Sequence, residues 1–196
     1  MPGLVASFSG RIASGKTHIT RMLADALQWP RTSFSDYLRA ALAKQGDHDP
    51  SREALQDLGQ TLVTSDPDQF CRDVFAQAGF TPGGNLLVDG VRHVDIQRRV
   101  ARLAIPSHTC LIHLAAEDDV VAQRVRERGT SETEVRRAET HEVERDLAAL
   151  LPQIADAVID AGQPVATVLA QCIGEMKRHG GDPAALARAV GIFTRL

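Results

Sequence analysis

Eight residues near the N-terminus combine glycine, lysine and threonine in a spacing that can hold a phosphate group. They read Gly-Arg-Ile-Ala-Ser-Gly-Lys-Thr over positions 10–17. The two glycines let the backbone curl so that successive N–H groups point at one anion, and a following helix adds its positive end. Lys16 can reach the β- and γ-phosphates of a nucleotide, and the Thr17 hydroxyl can bind Mg²⁺. The pattern predicts a P-loop that binds the phosphates of a nucleoside triphosphate through Gly10, Ala13, Ser14, Gly15, Lys16, Thr17 and His18.

The residues on both sides of this loop have the patterns of a strand and a helix. Positions 4–9 form a short, mostly apolar run that suits a buried strand. After the loop, apolar residues recur at helical spacing at Ile19, Met22, Leu23, Ala26 and Leu27. A strand, a glycine-rich turn and a helix in this order are the setting that a P-loop requires, so a chance match is disfavoured.

An acidic residue, Asp89, ends the apolar run at positions 86–89. A P-loop usually has such a second acidic element beside it, and Asp89 is therefore predicted to hold Mg²⁺ together with Thr17, directly or through water. The alternative is a carboxylate that caps the following turn. Arg92 follows the same run, so we expect it to project over the same crevice, with a surface ion pair as the alternative.

Asp36 and Arg39 lie three residues apart at the start of a predicted helix and therefore share one face. Arg39 can grip an acceptor phosphate, and Asp36 can orient or deprotonate an acceptor hydroxyl. For Asp36 the alternative is an N-terminal cap of that helix. Asp36, Arg39 and Arg92 are the predicted substrate-binding residues.

Arginines also flank a short polar turn later in the chain. Arg124 and Arg128 are four residues apart on one helix face, and Arg136 and Arg137 open the next predicted helix. Two such helix ends could form a lid at about 129–137 that closes over the transferred phosphoryl group and excludes water. The predicted catalytic residues are Lys16, Asp36, Arg124, Arg128 and Arg136.

Composition and charge argue against several classes of function. The chain has 196 residues, of which 43% are hydrophobic, as expected for one globular domain. A net charge of −3 gives no sign of non-specific nucleic-acid binding. Cys71, Cys110 and Cys172 lack zinc or disulfide spacing, which indicates a reducing compartment. With no visible leader or apolar span, we expect a cytoplasmic protein.

Strands and helices alternate along the sequence. This alternation predicts an α/β fold with a parallel sheet covered on both faces and ligands at the carboxyl ends of the strands. Three helices follow one another after the second strand, which suits a pocket for a second substrate. We expect a single domain with a core of 1–34, 85–128 and 155–179, an acceptor-binding helical region of 35–80, the lid, and a C-terminal extension of 180–196.

The order of these motifs resembles that of the adenylate kinase and nucleoside monophosphate kinase group of P-loop kinases. Positions 10–17 match the phosphate loop of that group. Ser-Asp-Tyr-Leu-Arg at 35–39 is similar to its Thr-Gly-Asp-x-Leu-Arg segment, and Asp-Gly-Val-Arg at 89–92 is similar to its Asp-Gly-Phe-Pro-Arg segment. Both segments end on an arginine that holds the acceptor phosphate in the group. Arg124 and Arg128 fit the arginine pair before the lid, and 134–137 resembles the pattern after it.

The resemblance implies a three-layer P-loop NTPase fold with a five-stranded parallel sheet in the order 2-3-1-4-5, and it implies ATP and Mg²⁺ as cofactors. The sequence departs from the group in three places. No glycine precedes Asp36, Val91 stands where the group has Phe-Pro, and the lid is a very short turn. The Asp-Gly-Val-Arg form is also similar to dephospho-coenzyme A kinases and deoxynucleotide kinases.

The sequence therefore predicts an ATP-dependent kinase that transfers the γ-phosphoryl group to a small acceptor, a nucleoside or deoxynucleoside monophosphate. One alternative is a kinase that phosphorylates a hydroxyl group of dephospho-coenzyme A, of a nucleoside or of a hydroxymethylated base in nucleic acid, with Asp36 as base. Another is a nucleotide-dependent switch that is not an enzyme. We expect a monomer or homodimer without a membrane partner, with nucleic acid only as a modified-base substrate.

Overall fold

The computed structural model describes residues 2–127 and 149–193. Within them, an all-parallel sheet contains the strands β1 (Leu4–Ser9), β2 (Arg31–Ser33), β3 (Leu86–Asp89), β4 (His108–Ala115) and β5 (Ala157–Asp160). Their order across the sheet is β2-β3-β1-β4-β5. The predicted α/β fold and the strand order 2-3-1-4-5 are thus confirmed.

Helices surround the sheet. In chain order they are α1 (Lys16–Leu27), α2 (Phe34–Lys44), α3 (Arg52–Ser65), α4 (Pro67–Gln77), α5 (Val94–Ala104), α6 (Asp118–Glu127), α7 (Leu151–Ile154), α8 (Val165–Arg178) and α9 (Pro183–Phe193). The three consecutive helices predicted after the second strand are α2, α3 and α4. Among the helices of the described ranges, none is both long enough and apolar enough to cross a bilayer.

The central strand β1 is buried on both faces because helices cover each side of the sheet. Leu4, Ala6 and Phe8 pack in one apolar cluster with α1, α8 and α9, whereas Val5 packs in a second cluster with α2 to α5. This explains why the strand reads as a nearly continuous apolar run. Phe193 of α9 is 4% exposed and belongs to the first cluster, so the C-terminal helix is part of the core.

Side chains at the helix starts determine where the helices of the acceptor region begin. Ser51 and Asp66 cap α3 and α4, since each accepts a hydrogen bond from the backbone N–H three residues later. At α2, however, Ser33 is the cap and the helix begins at Phe34, two residues before Asp36. Ser33 Oγ accepts from the N–H of Asp36 at 3.3 Å. The alternative in which Asp36 caps the helix is therefore wrong, and its carboxylate is available to the site.

The carboxyl ends of the three strands β1, β2 and β3 meet at one edge of the sheet. Asp89, the last residue of β3, pairs in register with Phe8 of β1 and with Ser33 of β2. The loop after β1, the start of α2 after β2, and the acid at the end of β3 consequently lie together. This edge contains the candidate site.

Candidate active site

The loop that follows β1 has the backbone conformation of a phosphate cradle. Gly10, Ala13 and Gly15 have φ angles of 138°, 58° and 91°. Gly10 cannot carry a side chain because a Cβ there would lie 2.4 Å from the backbone oxygen of Leu114 in β4. Left-handed residues in such a loop let successive N–H groups face one centre. The positive φ of Ala13, which has a side chain, is the kind of strain that occurs at functional loops.

The loop leads directly into α1, whose first turn is open to an anion. Gly15 is the N-cap and has no side chain with which to cap the first N–H groups of the helix. The first turn also lacks an acidic residue. A bound phosphate would accept these N–H groups and meet the positive end of the helix dipole. The residues of the loop therefore fit the phosphates of a nucleotide.

The ammonium group of Lys16 lies within the loop. The side chain is buried, and its Nζ donates to the carbonyl oxygens of Gly10 and Arg11, the latter at 2.8 Å. It also donates to the hydroxyl of Ser14 at 3.3 Å. A phosphate offers an ammonium group stronger, charge-assisted hydrogen bonds than a carbonyl does. Lys16 is thus positioned to exchange loop contacts for phosphate contacts.

Arg31, which the sequence did not single out, joins the two predicted acids. Its Nη2 donates to Asp89 at 2.5 Å and its Nη1 donates to Asp36 at 3.3 Å. Its Nε donates to the hydroxyl of Thr20 at 2.9 Å. The Asp89 side chain is 3% exposed, the Asp36 side chain 47% and the Arg31 side chain 14%. A largely buried guanidinium group therefore holds both carboxylates at the edge of the sheet.

Two adjoining cavities open along this edge. We call the first the donor crevice; it is lined by residues 12–18 together with Asp36 and Asp89. We call the second the acceptor cleft, after the helical region predicted to bind an acceptor; it is formed mainly by α2, α3 and the segment after β3. Residues that line both cavities are Ser35, Arg39, Arg52, Gly90 and Arg92.

Three arginines, Arg39, Arg52 and Arg92, stand at the boundary of the two cavities and are here called the arginine cluster. Burial and then the charge of Arg39 lower the pKa of Arg52. Burial and then the charge of Arg52 lower the pKa of Arg92, while Asp89 raises it. Cations in this arrangement are stabilised by an anion between them. Arg39 and Arg92 were predicted, but Arg52 was not, because in the sequence it has the position of an ordinary residue in the first turn of a helix.

Beyond the arginine cluster, the acceptor cleft is mostly apolar. Its apolar walls consist of Phe34, Leu38, Leu55, Val63, Phe70 and Ile96. The rings of Phe34 and Phe70 pack edge to face with their centroids 5.2 Å apart. Polar groups enter from α3, which contributes Gln56 and Gln60. The cleft therefore combines a cationic mouth with an apolar interior that has two amide groups.

Arg124 braces the loop from outside both cavities. Its Nη1 donates to the carbonyl oxygens of Ser14 at 3.0 Å and Ala13 at 3.3 Å, and its Nη2 donates to that of Ala161 at 2.7 Å. The guanidinium group ties the loop to the chain that follows β5, so its contacts are positioning contacts. A catalytic role for Arg124 stays a prediction. Outside the described residues lie Arg128, Arg136, Arg137 and the predicted lid.

His113 lies behind the loop as a core residue. It is 6% exposed, and its Nδ1 lies 3.0 Å from the hydroxyl of Ser9. Burial and then the charge of Lys16 lower the pKa of His113 to about 4. The imidazole is therefore neutral near pH 7 and adds no charge beneath the loop.

Thr17 and Asp89 both line the donor crevice, as the predicted magnesium pair requires. Within residues 2–127 and 149–193, no group of three or more His, Cys, Asp or Glu side chains could hold a metal ion by itself. Mg²⁺ bound with a nucleotide takes one or two protein ligands, and phosphates and water supply the others. A hydroxyl and a carboxylate beside the phosphate loop fit that donor set.

Solved structures of several kinases share this fold. A gluconokinase from Sinorhizobium meliloti 1021 is 15% identical, with a TM-score of 0.57 over 90% of this chain and 93% of that chain. A sugar kinase from Janibacter sp. HTCC2649 is 18% identical, with a TM-score of 0.55 over 94% and 98%. The shikimate kinase of Acinetobacter baumannii, in complex with shikimate, is 17% identical, with a TM-score of 0.54 over 91% and 93%. At such identities the likeness shows the fold alone.

The sequence itself matches one family model. Residues 8–145 match the model described as an AAA domain, and this segment begins in β1 and includes the phosphate loop, the acceptor region and Asp89. No curated protein sequence matches the chain. The finer resemblance to adenylate kinases therefore stays an expectation. Because the family model matches more than half of the residues, the chain belongs to the AAA domain family.

Proposed function

We propose that this protein is a Mg²⁺–ATP-dependent kinase that transfers the γ-phosphoryl group to a nucleoside or deoxynucleoside monophosphate. The observation that carries the proposal is the position of the arginine cluster, whose three members line both the donor crevice and the acceptor cleft. An anion held by Arg39, Arg52 and Arg92 would lie where the two cavities meet. A phosphate at that point is itself the accepting group, because the transferred phosphoryl group must pass through the same boundary.

The residues of the donor crevice have distinct roles in this proposal. The loop N–H groups and Lys16 hold the β- and γ-phosphates, while Thr17 and Asp89 hold the metal. Mg²⁺, when bound, offsets negative charge on the phosphates. Phosphoryl transfer needs little covalent chemistry from a protein, so positioning and charge stabilisation account for most of the catalysis.

The arginine cluster has the complementary role for the acceptor. Two phosphates that approach each other repel, and guanidinium groups on both cavities' shared wall reduce that repulsion. Their planar donors also fix the orientation of an acceptor phosphate, which favours in-line attack. The apolar interior of the acceptor cleft then receives the rest of the acceptor.

A second candidate is transfer to a hydroxyl group, and a specific observation favours it. Asp36 lines the donor crevice, is about half exposed, and is held by Arg31 at 3.3 Å. A carboxylate in that place can accept the proton of an acceptor hydroxyl. The names of the structural neighbours, a gluconokinase, a sugar kinase and a shikimate kinase, also support this candidate. The arginine cluster would then bind an anionic group elsewhere on the acceptor.

The test is ADP release from ATP and Mg²⁺ in the presence of a panel of acceptors. The panel contains nucleoside and deoxynucleoside monophosphates, together with hydroxylated acids such as gluconate and shikimate. Stimulation by a monophosphate is expected, and stimulation only by hydroxyl acceptors would select the second candidate. Asp36→Asn should lower kcat by about 10²-fold or more if Asp36 is a general base, and far less if the acceptor is a phosphate.

Two further variants connect the activity to the site. Lys16→Ala should abolish transfer, and Arg92→Ala should raise KM for the acceptor while Arg98→Ala, on an exposed face of α5, should not. If no acceptor stimulates ADP release, or if Lys16→Ala leaves it unchanged, the kinase proposal is wrong. A nucleotide-dependent switch would then be the better explanation of the loop.

A further inference from the structure

One face of α3 carries a cation and two amides in a row along the acceptor cleft. Arg52, Gln56 and Gln60 follow one another at intervals of four residues, and all three line the cleft. The helical rise of about 1.5 Å per residue separates consecutive members by about 6 Å along the axis. Of the three, Arg52 also lines the donor crevice. The row therefore runs from the boundary of the two cavities into the interior of the cleft.

The inner amide of this row has an acceptor atom that the protein does not use. Oε1 of Gln60 is buried, and no donor of the described residues forms a hydrogen bond with it. A buried amide oxygen is costly to leave without a donor. The outer amide, Gln56, is 9% exposed. A ligand in the cleft that presents an N–H group at this depth would satisfy Gln60.

The surroundings of the two amides suit a flat ring. Gly59 lies between them in the sequence, and a Cβ there would be 3.3 Å from the Cδ1 of Leu38, so α3 packs closely against α2. The rings of Phe34 and Phe70 are inclined by 71° to each other beneath the same cleft. Apolar and aromatic walls with a few placed polar groups are typical of small-molecule sites. A flat ring can lie with its apolar faces against such walls while the polar atoms of its edge meet the amides. Hydroxyl groups on every side of a sugar would instead face these walls without partners.

We propose that Gln56 and Gln60 recognise the nucleobase of the acceptor, while Arg52 binds its phosphate. This inference rests on the proposed function and adds which part of the acceptor each position of α3 contacts. A glutamine amide accepts an N–H through its oxygen and donates through its nitrogen, and this is the pairing it makes with base edges. The substrate class is thus a nucleotide with an intact base, rather than any phosphorylated sugar.

The test compares a nucleoside monophosphate with ribose 5-phosphate, which has the same phosphate and sugar but no base. Gln60→Leu removes both hydrogen-bonding groups of the amide at similar volume. We expect the ratio of kcat/KM for the monophosphate to kcat/KM for ribose 5-phosphate to fall about tenfold or more. Gln77→Leu, on the exposed end of α4, is the matched control and should keep the wild-type ratio. A ratio unchanged in Gln60→Leu, with both substrates affected equally, would overturn the proposal.

A binding measurement separates this inference from the kinase proposal. Calorimetric titration of the full chain with the monophosphate should give a Kd about tenfold or more weaker for Gln60→Leu than for wild type, with matching circular dichroism spectra. Such binding without phosphoryl transfer would support base recognition and contradict the kinase activity. Conversely, transfer to hydroxylated acids without any binding of monophosphates would overturn base recognition and leave a kinase of another substrate.

Discussion

Replacing Arg31 with alanine would leave the carboxylate of Asp89 buried without its guanidinium partner. The Asp89 side chain is 3% exposed and accepts from Arg31 at 2.5 Å, so in the folded structure its carboxylate has little contact with bulk water to offset the lost pair. Removal of one partner of a buried ion pair lowers the free energy of unfolding by about 3–5 kcal/mol. The second pair, with Asp36 at 3.3 Å, adds little because that carboxylate is 47% exposed. We therefore expect a loss within the range for the buried pair alone.

A matched control is available on the surface of α5. Arg98 donates to Asp95 at 3.0 Å, and both side chains are 67% exposed. Arg98→Ala removes the same side chain from an exposed pair, for which the expected loss is below about 1 kcal/mol. The difference between the two variants measures how much burial of the Asp89 charge contributes.

Urea unfolding followed by the fluorescence of Trp29 is the appropriate assay. Trp29 is the one tryptophan of the chain, is 8% exposed and packs in the core cluster with α1. With a slope of about 2 kcal/mol/M, a loss of about 4 kcal/mol moves the midpoint of Arg31→Ala by about 2 M. The added change Asp89→Asn should restore part of the stability, because it removes the buried charge. The reasoning is refuted if Arg31→Ala loses no more than Arg98→Ala, or if Asp89→Asn restores nothing.

Other features of the site lead to three further expectations. The pKa of His113 is lowered to about 4 in the folded protein, so as the pH falls the imidazole is protonated in the unfolded chain before it is protonated in the folded one. The free energy of unfolding should therefore fall by about 3 kcal/mol as the pH drops from 6.5 to 4. Urea unfolding across that range should show a smaller fall in the free energy of unfolding for His113→Gln. His48 is exposed, and His48→Gln should show the same fall as wild type. Gly10→Ala should abolish ATP binding in calorimetry, because its Cβ would lie 2.4 Å from a backbone oxygen of β4. Gly46 has a φ of 96° but open space around a built Cβ, so Gly46→Ala is the control. It should lower the free energy of unfolding by about 1–2 kcal/mol in urea and leave ATP binding unchanged. Arg124→Ala loses three hydrogen bonds to backbone carbonyls. It should weaken ATP binding in calorimetry and lower the free energy of unfolding by about 1–3 kcal/mol. Unchanged values in both assays would contradict the role of Arg124 in holding the loop.

Much of the fold could be predicted because its signals are local. The glycines of the phosphate loop, the caps at Ser51 and Asp66, and the apolar period of α1 depend on residues a few positions apart. Alternation of strands and helices then restricts the sheet to a parallel arrangement. The same rule predicted that Asp89 and the loop would share one edge, which the strand register confirms.

The contacts that define the acceptor side depend on distant parts of the chain. Arg31 and Asp89 are 58 residues apart in sequence, and their ion pair exists because β2 and β3 are neighbours in the sheet. In the sequence, Arg52 has no feature that separates it from other residues at a helix start. In the folded chain, the packing of α3 against α2 places it with Arg39 and Arg92 on the wall that the two cavities share. A phosphate loop on a parallel α/β sheet could therefore be predicted from the amino-acid order, since both follow from local backbone requirements and periodicity. Which charges and amides face one cleft could not, because strand register and helix packing set those distances in the folded chain.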